Sequence, residues 1–400
     1  MALVSKTFSE IITFTRASTG SYFDSAGTLQ SAAINSPRLD YNPSTLAAQG
    51  LLIEEQRTNS IRNNTMVGAV AGTPGTLPTN WITLGAGIGT LTQQIVGTGA
   101  SNGIAYIDIR ISGTTSTISF GISFESNTQI SAASGQNWTS SIYLARIGGS
   151  TSNLTVSQRV LERNIAGGGV ANTTTNITSG LGTSLSRFFV TRTLTDATTA
   201  FVTTDALLEF SSGVAIDITL RIGLPQLEQG AFATSVIPTT TAAVTRSADV
   251  ASVNTMSPWY NATEGTLYAE VGYQQNNPTA AQMAASFNST ANNRWTAAFT
   301  QTSGQGIMLR NTSGAGLLQT STANAAIVGA TNKIALAIST GASIVLNGGT
   351  AATNASYAAP TVTQLQLGNQ LAGGYLNGYL RRITYYPRRL TDAELQIITA

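Results

Sequence analysis

The sequence contains no cysteine and no histidine. Without thiols, neither a disulfide framework nor thiolate chemistry is available. Without imidazole, the usual general base near neutral pH and the commonest zinc ligand are missing. Ser-His-Asp, Cys-His and histidine-built zinc mechanisms are therefore excluded. Charge is scarce as well: 10% of the 400 residues are charged, against roughly 25% in ordinary soluble domains. Lysine is confined to Lys6 and Lys333, so the positive charge is almost all arginine. Arginine without lysine suits fixed, bidentate pairs more than a solvated cationic surface. With a net charge of +2 and no dense basic run, no nucleic-acid groove is expected; the Arg381-Arg382 and Arg388-Arg389 pairs read as structural. No stretch approaches the roughly 20 apolar residues of a membrane span. The opening MALVSKTFSEIITFT lacks the apolar run of a secretion signal.

What the chain does have is β-branched and small polar sequence, with 42% hydrophobic residues to fill sizeable cores. Period two dominates from residue 61 to 250. Ile107, Ile109 and Ile111 alternate with Asp108 and Arg110; Ile118, Phe120, Ile122 and Phe124 alternate with small residues; Ile216, Ile218, Leu220 and Ile222 alternate with Asp217, Thr219 and Arg221. Such runs put one face in a core and the other in solvent, as in an antiparallel sandwich. Pro225, Gly230 and Pro238 then break the chain, and the run Thr239–Ala243 reads as a linker. A second period-two set begins after Pro258 with Leu267, Ala269, Val271 and Tyr273 and continues to Tyr385. Its length suits a second sandwich. One helix is predicted, at the C-terminus: Thr391 and Glu394 form a capping box, and Leu390 and Leu395 a hydrophobic staple.

The densest stretch lies at residues 14–59. Tyr22-Phe23 and Thr28-Leu29 flank a four-residue hairpin loop ending in Gly27. Pro37 and Pro43 hold their predecessors extended, and Leu51, Leu52 and Ile53 read as a buried strand. The charge cluster Glu54-Glu55-Gln56-Arg57 follows directly. Residues 1–15 read as an extended arm ending in a strand over 11–15. Glu55 and Arg57 are expected to pair with other charged residues and brace the arm, since buried pairs favour a unique arrangement more than they add stability.

Three blocks carry a resemblance. FTRASTGSYFDSAGTLQSAAINSPRLDYNP followed by GLLIEEQRTN resembles a segment recurrent in tailed-bacteriophage virion proteins. QLEQGAFATSVIPTTTAAVTRSADV resembles the join that follows their first sandwich. LNGYLRRITYYPRRLTDAELQ resembles the end of a concanavalin-A-like lectin domain. The resemblance implies an all-β protein of two antiparallel sandwiches: an assembly arm over 1–60, a jelly-roll, carbohydrate-module-like sandwich over 61–250, and a concanavalin-A-like sandwich over 251–400. It implies a fibre, baseplate or capsid decoration component on the particle surface. The expected partners are copies of itself in a homotrimer, other virion proteins and host surface polysaccharide. No enzymatic activity, metal or cofactor is expected; calcium follows only by analogy, and no Asp-rich loop supports it. The alternatives are a tail-spike polysaccharide depolymerase and a purely architectural decoration.

For sugar binding, the candidates are Trp81, Trp295, Asn293 and Tyr273, because a pyranose stacks on an aromatic ring while its hydroxyls seek amides. Each ring has a competing role as a packing residue. The assembly candidates are Glu54, Glu55, Arg57, Tyr22 and Phe23. Gly85-Ala86-Gly87-Ile88-Gly89 lacks the helix and later ribose-binding acid of a nucleotide loop. The adjacent acids Glu54/Glu55 and the helix-cap acids Asp392/Glu394 do not form the opposed pair that a glycosidase needs.

Overall fold

The computed structural model describes residues 6–84, 88–290, 293–311, 317–355, 359–371 and 373–400; Gly85-Ala86-Gly87 of the glycine-rich run lies outside them. The chain is all-β and divides into two compact units, Met1–Gln56 with Ser247–Ala400, and Arg57–Arg246. Residues 6–56 thus belong to the same unit as the C-terminal sandwich, where the sequence leads one to expect a separate arm over 1–60. A short helix, Phe8–Ile11, opens the described chain under a capping box of Thr7 and Glu10, and the strand expected over 11–15 narrows to Thr13–Thr15.

In the discontinuous unit, two seven-stranded antiparallel sheets enclose one core. One sheet runs Thr13–Thr15, Val250–Val253, Gln364–Leu367, Gln282–Thr290, Asn293–Phe299, Gln305–Asn311, Leu317–Ala325. The other runs Ala352–Asn354, Ala342–Leu346, Ala330–Ile338, Gly265–Tyr273, Gly378–Tyr386, Ala48–Ile53, Leu39–Tyr41. Each sheet recruits N-terminal strands: Phe14 lies opposite Ala251 and Leu52 opposite Tyr379. The alternation of the second strand set holds, because Leu267, Ala269, Val271 and Tyr273 all point inward, against Phe287, Trp295 and Phe299 of the facing sheet. The hairpin Gly20–Phe23/Leu29–Ala32 forms as expected, and Gly27, at φ 72°, supplies the left-handed residue that its turn requires. The C-terminal helix Asp392–Thr399 starts at Thr391, whose side chain accepts from the Glu394 amide. Leu390 and Leu395 are buried with Tyr268 and Val345 on the outer side of the second sheet.

In the continuous unit, two five-stranded antiparallel sheets pack face to face. The first runs Gly169–Asn176, Leu154–Arg163, Phe201–Phe210, Ser119–Ser123, Ile82–Leu84. The second runs Ser186–Thr193, Asn137–Gly149, Ala215–Gln229, Ile104–Thr114, Thr92–Ser101. Ile107, Ile109, Ile111, Phe120, Ile122, Phe124, Ile216, Ile218, Leu220 and Ile222 fill the core, as their spacing predicts. Ile118 does not: it precedes its strand and is exposed. Arg57–Asn59 and Val244–Arg246 pair with each other, so this unit begins and ends side by side.

Candidate functional site: a buried ion cluster and two polar sheet faces

Arg16, Arg38, Glu54 and Asp249 form an ion cluster inside the discontinuous unit, with side chains at most 7% exposed. Arg16 leaves the strand Thr13–Thr15 and donates to Asp249 Oδ1 at 3.1 Å; it also donates to the carbonyls of Ser18, Ser36 and Ala33. Arg38 donates to Asp249 and lies 2.9 Å from Glu54 Oε2. The Glu54 amide donates to Asp249 Oδ2 at 2.9 Å, and the Asp249 amide returns a bond to the Glu54 carbonyl. Burial works against the Arg38 charge, but the carboxylates of Glu54 and Asp249 outweigh it and raise its pKa. Two cations and two anions balance, which lets four charges sit out of water. Beside them, burial raises the pKa of Asp40, although the Phe23 amide and the Tyr379 hydroxyl both donate to it, at 2.6 and 2.9 Å. Burial, then the neighbouring Asp40 charge, pushes the Tyr379 phenol well up in turn.

The assembly residues read from the sequence are therefore redistributed. Glu54 is at the heart of the cluster. Glu55 is half-buried, its amide donating to Asn377 Oδ1 at 2.9 Å and its carboxylate accepting from Asn377 Nδ2. Arg57 belongs to the other unit, with its guanidinium 4.8 Å from the centre of the Phe232 ring. A side chain on Gly230 would collide with that guanidinium. Tyr22 and Phe23 are half-buried on their hairpin. Sequence reasoning missed Arg16, Arg38 and Asp249, although all three lie in the blocks that carry the resemblance.

Three of the four sugar-binding candidates are core residues, and their expected role is corrected accordingly. Trp81 packs edge-on against Phe124 and donates its indole N–H to the Asn63 carbonyl at 2.8 Å. Trp295 stacks on Phe287 with ring centres 4.3 Å apart. Tyr273 is fully buried against Phe299, and its hydroxyl donates to Asn276; burial pushes its pKa up to about 12. A buried indole of about 200 Å² is worth on the order of 5 kcal/mol, several times the roughly 0.5–1.5 kcal/mol of an aromatic pair beyond its area. Packing wins. Asn293 is half-buried at the start of its strand, opposite Thr290.

Polar groups instead gather on the outward sheet faces, on the side opposite the core alternation. On the continuous unit, Arg159 and Asp205 face each other in register and bond bidentately, at 2.9 and 2.5 Å. Burial raises the Asp205 pKa, with the Arg159 bonds and charge opposing it. Along the same strand pair, Arg163 donates to Thr203 Oγ1 at 2.7 Å, and Ser157 to Glu209 at 2.9 Å. On the second sheet, Arg221 pairs with Asp108 at 2.8 Å while lying 3.6 Å from the Tyr106 ring centre, and Arg110 pairs bidentately with Asp217. These faces offer guanidinium edges and hydroxyls for contact. Their acids are already engaged, so the arrangement suits recognition better than proton transfer. No group of acids that could hold a metal occurs among the described residues.

No family model and no curated protein matches the sequence. Among solved structures, the chain is similar to the CBM40 module of a Ruminococcus gnavus IT-sialidase, at 22% identity over 35% of this chain and 84% of that one, TM-score 0.30. A CBM4 module matches at 21% identity over 42% of this chain and 99% of its own, TM-score 0.28. A tail fiber protein from an E. coli phage matches at 9% identity over 84% of this chain and 40% of its own length, TM-score 0.21. Likeness at this level assigns no ligand, partner or site to this chain.

Proposed function

We propose that the protein is a non-enzymatic structural component of a tailed-phage virion. In this reading it acts at a fibre, baseplate or capsid surface as a homotrimer, displaying a carbohydrate-module-like and a concanavalin-A-like sandwich. Weak sites repeated over many copies would hold host surface glycans by avidity. The observation that carries a contact role is the engagement of the acids: Glu54, Asp249 and Asp205 are all locked against arginines inside sheet or core. A general acid must instead reach the glycosidic oxygen with a partner carboxylate across a cleft. The burial of Trp81, Trp295 and Tyr273 favours the purely architectural alternative, since it removes these three rings as stacking platforms. The test is antibody labelling of intact particles, together with binding of a multivalent display of the full chain to host cells and glycans. Labelled particles with glycan binding support the proposal, and labelled particles without it leave the architectural reading. Release of reducing ends from capsular polysaccharide would establish the depolymerase reading instead.

A further inference from the structure

Trp295 and Arg294 are neighbours on one strand and so project from opposite faces of its sheet. Trp295 enters the core, whereas Arg294 stands on the outer face. It sits in register with Asn288 on the adjoining strand, and Asn288 in turn with Gln364 on the next. Asn288 is fully engaged: its nitrogen donates to Gln366 Oε1 at 2.9 Å, and its oxygen accepts from Gln364 Nε2 at 2.8 Å. That last bond uses the Gln364 nitrogen and leaves its carbonyl oxygen to accept. One row below, Ser286 and Thr296 share a hydrogen bond at 2.7 Å.

Arg294 differs from the paired arginines of the continuous unit. There Arg159, Arg192 and Arg221 each bond a carboxylate. Arg294 is half-buried, and no hydrogen bond, ion pair or ring contact holds it among the described residues. A guanidinium drawn partly out of water without an anion costs stability inside the fold. Burial alone pulls its pKa down. The missing partner is an anion, and the planar fork of donors matches a carboxylate bidentately. Two strands away, about 10 Å across the sheet, the Gln364 carbonyl is placed for a hydroxyl donor.

We infer that Arg294 and Gln364 form a site on this outer face for an acidic sugar, with the sugar carboxylate on Arg294 and a hydroxyl on Gln364. The inference rests on the glycan-binding reading and deepens it by naming the substrate class. Sialic and uronic acids share the required carboxylate.

The test is ligand-observed NMR on the full chain with N-acetylneuraminic acid, glucuronic acid and glucose. Wild type should bind at least one of the two acids at least about tenfold more tightly than glucose, and the one preferred identifies the source. Arg294→Gln should lower that affinity by about tenfold or more, as loss of a charged hydrogen bond predicts. It should leave Tm unchanged or raised, because no internal ion pair is broken. Should Arg294→Gln fail to fold, Gln364→Ala carries the test and must weaken acid binding. Acids bound no better than glucose, or unchanged affinity in the deciding variant, overturn the inference. If neutral glycans still bind, only this site is lost; if no glycan binds at all, the glycan-binding reading falls with it.

Discussion

Replacing Asp249 with asparagine should be the most damaging isosteric change in the molecule. The carboxylate receives Arg16, Arg38 and the Glu54 amide, with 0% of its side chain exposed. Asp249→Asn leaves two buried guanidinium groups facing one carboxylate. Breaking a buried pair from one side costs about 3–5 kcal/mol, because the remaining charge is stranded. That is a large share of a typical domain stability of about 5–15 kcal/mol. For the discontinuous unit, roughly 210 residues, it corresponds to a Tm loss of about 6–20 °C. Calorimetry and urea melts would measure it, and Arg38→Met completes a double-mutant cycle. Because the double variant restores charge balance, its cost should fall below the sum of the singles by about 1 kcal/mol or more. A loss of under about 2 °C in Asp249→Asn, or additivity within about 0.5 kcal/mol, would refute the reasoning.

Trp295→Ala should lose about 3–5 kcal/mol by opening a core cavity, read by chemical denaturation; a variant of unchanged stability that loses sugar binding would return Trp295 to the surface role. Glu162 accepts from Arg192, from the Thr195 and Asp196 amides and from the Thr199 hydroxyl, so Glu162→Gln should speed amide exchange at Thr195 and Asp196 by about tenfold or more. Glu394 is held down to about 2 by Arg388, then by the Thr391 amide and hydroxyl. A depressed carboxylate stabilises above its unfolded value of 4.5 and loses that contribution as pH falls from there toward about 2. An NMR titration should place its midpoint near the lower figure, and a midpoint above 4 would show that the cap is not formed.

The fold is legible where local pattern decides it. Alternation locates the strands around Ile107–Ile111 and Leu267–Tyr273, because a sheet with one buried face writes its period into the chain. The C-terminal helix is legible because its capping box, Thr391 to Glu394, closes within four residues. The helix Phe8–Ile11 carries the same Thr-x-x-Glu signature at Thr7 and Glu10 but reads as extended, there being too little apolar periodicity after it. The aromatic candidates fail for a different reason: composition cannot say which way a ring points, and burial area outweighs stacking. At 54–57 the clustering of charge is visible, but the residue that matters is Glu54. Its counter-charge is Arg38, and the cluster is completed only by Asp249, 195 positions from Glu54. Arg294 escapes a reading of the sequence because its distinguishing feature is a missing partner, which only three dimensions reveal.

The interrupted sandwich also has a timetable. Arg38 and Asp249 are 211 positions apart, and a ribosome working at about 5–20 residues per second needs roughly 10–40 s to join them. The strand that Leu51–Ile53 must pair with, Gly378–Tyr386, arrives later still. Over that interval the inserted sandwich, whose two ends pair with each other, has all its strands and can close. Residues 6–56 wait in water with both arginines of the ion cluster but only Glu54 of its two acids. The chain therefore completes its middle before its beginning, and a nascent-chain proteolysis series should find residues 57–246 protected while residues 6–56 are still cut.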